Sequence, residues 1–273
     1  ASVQWARVKN RNRDLTYNKF DLEGLQTLAP KFAWKRLFLG MGLDEDPSLV
    51  VRQPDYMTNA SEVLAKTPKE VLRDYLEIRL LSTYASRLHK AMVDLHFGFY
   101  GKVLRGAREL EPRWKRGVSE VERNLGEVVG KIYVSRHFKP EAKARMVHLV
   151  GNLERAFGEG ITSLEWMTDV TKDQAQQKLG TFVSKIGYPD TWRDYDGLEV
   201  KTDDLVGNAM RARTFEHHRE LAKLGKPIDR AEWFMNPQTV NAYYNPSMNE
   251  IVFPAAILQP PFFNLQADDA VNY

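Results

Sequence analysis

Apolar residues along most of this chain recur at steps of three and four, the spacing of one face of an α-helix. The longest such run follows Thr67-Pro68-Lys69-Glu70, where Thr67 reads as an N-cap, Pro68 as the first helical residue and Glu70 as the reciprocal capping partner. Val71, Leu72, Tyr75, Leu76, Leu80, Tyr84, Leu88 and Met92 then carry one amphipathic stripe to about Val103. Val118, Val121, Leu125, Val128, Val129 and Ile132 predict a second helix over about 112–137, and Pro140 starts a third that runs to about Phe157. Thr171 to Gln174 repeats the capping pattern and opens a helix expected to end near Gly187, with Pro189 beyond it; residues 203–224 predict one more. Nearer the start, residues 21–41 read as two short helices broken at Pro30, and 48–56 as a short extended piece. GEGITS (158–163) reads as a turn between helices, Trp166 and Met167 as core, and Asp203-Asp204 and Asp268-Asp269 as acidic helix N-termini.

Beyond about Pro237 the period changes. VNAYY (240–244) is rich in strand formers, NPSMN (245–249) is a turn candidate and EIVF (250–253) is β-branched and aromatic, so the three predict a hairpin. Pro254 and Pro260-Pro261 cannot donate to a ladder, which places the segment at a sheet edge. An edge offers unpaired backbone groups to an extended peptide. Asn241 stands out there, because Asn is poor in strands and its amide holds both a donor and an acceptor. It either satisfies a nearby turn or binds a peptide unit. Ile257 and Phe262 follow on a loop and either fill core or line an apolar pocket.

Composition narrows the classes. The 273 residues suffice for one large domain or two smaller ones, and a 43% hydrophobic content supports a sizeable core. Lys+Arg 39 against Asp+Glu 36 leaves a net charge of +3 with interspersed signs, so no nucleic-acid partner is expected. With no cysteine, neither a disulfide framework nor a thiolate zinc site is expected. No stretch reaches the roughly 18 apolar residues of a spanning helix, so no transmembrane segment is expected. His89, His96, His137, His148, His217 and His218 show no metal-ligand spacing, and no G-x-S-x-G, phosphate-loop or dinucleotide pattern occurs. The residues themselves therefore present no catalytic set and no metal set.

VNAYYNPSMNEIVFPAAILQPPFF (240–263) closely resembles the segment preceding the zinc motif in the neprilysin and endothelin-converting-enzyme family of zinc metallopeptidases, which has bacterial members. YNKFDLEGLQTLAP (17–30), VGKIYVSRHF (129–138), WMTDVTKDQAQQKL (166–179), IGYPDTWRDY (186–195) and AEWFMNPQTVNAYY (231–244) follow the family's order. The resemblance implies a mainly α fold: a large multi-helix, substrate-enclosing domain over 1–235, then a short β-hairpin over 236–273 that begins a thermolysin-like α+β catalytic domain. It implies a zinc-dependent metalloendopeptidase acting on oligopeptides, with Zn2+ in the complete enzyme. Asn241 and Ala242 match the pair that binds the substrate backbone, and Ile257 and Phe262 match an apolar primed-side pocket. The family's His-Glu-x-x-His motif and downstream Glu are absent, so this chain is expected to bind no zinc and to be inactive alone, its partner being a C-terminal catalytic segment. The family's N-terminal portion is also expected to be missing, and Gly117 stands where animal members have a bridged Cys. An extracytoplasmic location, periplasmic or secreted, is implied by the same likeness and is not fixed by the residues. The alternative is a non-catalytic helical interaction module that retains a peptide-binding edge strand.

Overall fold

The computed structural model describes residues 4–43 and 47–273, so the first three residues of the predicted helical region lie outside it. The fold is mainly α, and the chain divides into two compact units interleaved in sequence.

The first unit comprises Ala1–Leu110, Lys201–Asn208 and Glu216–Leu224. Its elements are α1 (Arg7–Arg11), α2 (Arg13–Thr16), β1 (Lys19–Phe20), α3 (Leu22–Leu28), α4 (Trp34–Gly40), β2 (Leu49–Val50), α5 (Pro54–Lys66), α6 (Lys69–Tyr84) and α7 (Lys90–His96). α3 and α4 lie on either side of Pro30, as the break predicts. Leu25, Ala29, Trp34 and Phe38 form the core here, with Phe20, Leu49 and Met57 packed against it, and the Trp34 indole donates to Ala29 O at 3.0 Å. The extended piece at 48–56 is shorter than expected, because Pro54 already begins α5. Thr67 does not cap α6. Its hydroxyl donates back to Val63 O at 2.7 Å, closing α5, and Pro68 takes the cap position without a side-chain bond. The long stripe is also interrupted: a 3-10 turn over Ala85–Arg87 and extended backbone at Leu88 separate α6 from α7, which continues as a wider π-type turn through Val103.

The second unit comprises Glu111–Val200, Ala209–Phe215 and Gly225–Tyr273. It contains α8 (Arg113–His137), α9 (Pro140–Ser163), α10 (Asp169–Gly180), β3 (Val183–Gly187), part of α11 (Leu205–Leu221), β4 (Tyr243–Asn245), β5 (Glu250–Pro254) and α12 (Asp269–Asn272). α9 runs through the predicted GEGITS turn to Ser163, since buried Ile161 repays the roughly 1 kcal/mol cost of a helical glycine. α10 starts earlier than Thr171: Thr168 is the cap, its hydroxyl accepting from Thr171 N at 3.3 Å. Trp166 is not core but 74% exposed.

The larger correction is β3. Residues read as the end of a helix form a strand that pairs in parallel with β5, Val183 opposite Glu250 and Gly187 opposite Pro254. β5 also pairs antiparallel with β4, so the sheet order is β3-β5-β4. Only half of the expected hairpin therefore lies at an edge, and β5 is central. Pro254 is tolerated because it is the last residue of the ladder, where no further N–H is needed. Ile186 belongs to one core cluster with Phe138, Met146, Leu149, Ala255, Leu258 and Phe263, and Phe253 packs against it. This fastens one face of the sheet to α9. On the other face Glu250 and Val252 are buried.

Candidate functional site

The site is assembled around β4, one of the two edge strands of the β3-β5-β4 sheet. Its far end is set by a tight turn. Asn245 Oδ1 accepts from Ser247 N at 3.1 Å, and Asn249 takes a left-handed φ of 50°, which Asn tolerates. The Asn249 amide then donates to Lys178 O at 2.8 Å, and its Oδ1 accepts from the Tyr244 hydroxyl at 3.0 Å.

The near end is set by α8. Leu125 leaves helical geometry (φ −135°, ψ 36°), and the Gly126 carbonyl beside it accepts from Gln238 Nε2 at 2.9 Å. A Cβ at Gly130 would stand 2.8 Å from the Pro237 ring, so glycine is what lets residues 236–238 lie against the helix. Pro237 O accepts from Ala256 N at 2.9 Å, and Asn241 N donates to Thr239 O at 2.9 Å. The chain is thus fixed on both flanks just before it enters β4.

Asn241 is exposed at that entry. Its Oδ1 accepts from the Ala242 N–H at 2.8 Å, while its Nδ2 meets no partner among the described residues. Asn241 and Ala242 lie together there; Ile257 and Phe262 lie on the loop after β5. Ile257 ends a 3-10 turn and packs against the Phe138–Phe263 core, whereas Phe262 is 63% exposed.

Several residues of the site gave no sequence signal. Lys185 of β3 and Glu250 of β5 form an ion pair of 2.7 Å with side chains only 10% and 2% exposed. Lys185 Nζ also donates to Glu232 O at 2.9 Å, while Glu250 Oε1 is buried with no hydrogen-bond partner among the described residues. The Tyr243 hydroxyl accepts from Phe234 N at 3.1 Å. Burial raises the Tyr243 pKa above its ordinary value, the charges of Glu250 and Glu232 add to the rise, and the Phe234 N–H opposes it. The strand character of VNAYY and EIVF is legible in the sequence, whereas β3, the other partner of β5, reads there as helix.

Among the described residues no group of three or more His, Asp or Glu is arranged to hold a metal ion. No helix among them is long and apolar enough to cross a membrane.

Two models of peptidase family M13 match the chain, one over residues 1–189 and the other over residues 241–273. Endothelin-converting enzyme 1 of Mus musculus is 31% identical over 284 residues, a match covering 100% of this chain and 37% of the relative. The crystal structure of Mycobacterium tuberculosis zinc metalloprotease Zmp1 in complex with inhibitor superimposes with a TM-score of 0.93 at 49% identity, covering 99% of this chain and 41% of that one. PepO from Lactobacillus rhamnosis superimposes at 0.84 with 26% identity, over 99% of this chain and 43% of its own. The chain therefore spans well under half the length of the relatives it matches. With the first model alone covering more than half of its residues, the chain belongs to peptidase family M13.

Proposed function

We propose that this chain is part of a zinc-dependent metalloendopeptidase that hydrolyses oligopeptides, to which it contributes a helical, substrate-enclosing region and the strand edge that binds the substrate backbone. The observation that carries the reading is β4, an edge strand with exposed Asn241 at its entry, in a chain of this peptidase family. An extended guest adds to such an edge through main-chain hydrogen bonds. The Asn241 Nδ2 donates to a guest carbonyl, and its Oδ1, already accepting from Ala242, has a second lone pair for a guest N–H. Ala242 adds no bulk that would hold the guest away. Ile257 and the exposed ring of Phe262 supply apolar contact to a guest side chain.

The functional division falls near residue 235, with 1–235 enclosing the substrate and 236–273 opening the catalytic domain; β3 crosses that division to complete the sheet. Bound zinc would polarise the scissile carbonyl and activate a water. By the family likeness its ligands are proposed to lie on the C-terminal catalytic segment, and no step is built on it here. An extracytoplasmic place of action belongs to the same proposal.

The test is a titration of the chain with a fluorescent oligopeptide, beside a quenched-peptide assay with and without chelator. Saturable binding is expected, weakened roughly fivefold in Asn241→Ala for the loss of about one net hydrogen bond, with no chelator-sensitive hydrolysis. Absence of binding would overturn the edge reading. Chelator-sensitive turnover by this chain alone would overturn the division of labour.

A further inference from the structure

We propose that Phe234 determines the sequence preference of the β4 edge, selecting a bulky apolar side chain at the guest position that lies beside Tyr243. The inference rests on the edge-binding reading above and deepens it. The loop that carries Phe234 crosses one face of the sheet and is pinned at three points. Arg230 Nη1 donates to Met248 O at 3.0 Å, the Glu232 carbonyl accepts from Lys185 of β3 at 2.9 Å, and Phe234 N donates to the Tyr243 hydroxyl of β4 at 3.1 Å. Buried Trp233 lies between the last two anchors. The loop thus travels from the β3 side of the sheet to the β4 side and delivers Phe234 to the open edge. There its ring stands edge-on to Tyr243, 6.0 Å between centroids at 65°, and remains 57% exposed. A large apolar ring held at a fixed place on an open edge, with more than half its surface uncovered, is a surface for a guest side chain.

Side chains of an added strand alternate between faces with a period of two. Guest residues on the Tyr243 face meet the Phe234–Tyr243 pair. Residues on the opposite face meet Tyr244, whose ring stacks on Phe182 at 6.4 Å and whose hydroxyl is bonded to Asn249. The two faces are therefore read by different residues, and removal of Phe234 affects one of them alone.

The experiment places a single Phe at successive positions of an Ala/Ser oligopeptide and measures Kd on the full chain by fluorescence anisotropy, for the wild type, Phe234→Ala and Phe234→Leu. Wild-type binding is expected to favour Phe over Ala by roughly three- to tenfold at positions of one parity, the range of an aromatic contact. Phe234→Ala removes that preference, and Phe234→Leu reduces it at the same positions, while positions of the other parity are unchanged. Should Phe234→Ala lose its thermal unfolding transition, Phe234→Leu decides alone. A wild-type preference that survives in the folded variants, or affects both parities equally, overturns the proposal while leaving edge binding intact. Failure of the wild type to bind any peptide overturns the edge reading itself.

Discussion

Lys185 and Glu250 carry opposite charges out of water at the centre of a three-stranded sheet, with side chains 10% and 2% exposed. Such a pair contributes little net stability when whole and costs a great deal when halved, because the orphaned charge keeps its desolvation penalty. Lys185→Met is expected to destabilise the fold by roughly 3–5 kcal/mol in urea denaturation, and the double change Lys185→Met, Glu250→Leu to recover most of that. A double-variant loss equal to the sum of the Lys185→Met and Glu250→Leu losses would show that the pair is not coupled. Tyr243 adds a pH signature. Burial raises its pKa above 10.0, so above that pH the unfolded chain gives up its proton first and stability falls as pH rises. Tyr243→Phe should flatten this alkaline part of the stability curve. At this scale the sequence singles out Asn241, because an amide is out of place among strand formers, and the structure leaves it exposed before β4. Lys185 and Glu250 are not singled out, because a buried pair joined across a parallel ladder leaves no local spacing to read.

The kinked helix α8 makes the same point about elements. Its glycines look alike in sequence but do opposite work. A Cβ at exposed Gly117 would meet nothing within 4 Å, whereas one at Gly130 would press on the Pro237 ring at 2.8 Å. Gly117→Ala is expected to stabilise by about 0.5–1 kcal/mol through helix propensity. Gly130→Ala is expected to destabilise by roughly 1–3 kcal/mol, because the segment leading into β4 must move. Shifts of the same sign in chemical denaturation would contradict the close approach of residues 236–238 to this helix. The hairpin was legible from its switch of period and its Asn-Pro turn. β3 was not: Val183 to Gly187 follows α10 after a gap of two residues, and only its distant partner β5 makes it a strand. Thr67 and Thr168 show why boundaries slip, since a threonine can bond backward to close one helix or forward to open the next.

Across the whole molecule, the mainly α class and the family follow from ordered landmarks spread over most of the chain. What periodicity could not say is which surfaces are covered. The α6 stripe forms a helix as expected, yet Val71, Tyr75, Leu76 and Leu80 all remain more than half exposed, because a three-and-four spacing reports an apolar face and not what that face meets. The sheet behaves differently: β5 is paired on both flanks, and among the described residues β3 and β4 each have a ladder partner on one flank only. The proposed peptide recognition depends on the open flank of β4. It is tested most directly by amide hydrogen exchange of the chain with and without a saturating oligopeptide. Guest pairing at β4 predicts slowed exchange within residues 242–245, with the amides of Val183–Gly187 unchanged. Protection at the β3 flank instead, or none at either strand, would contradict it.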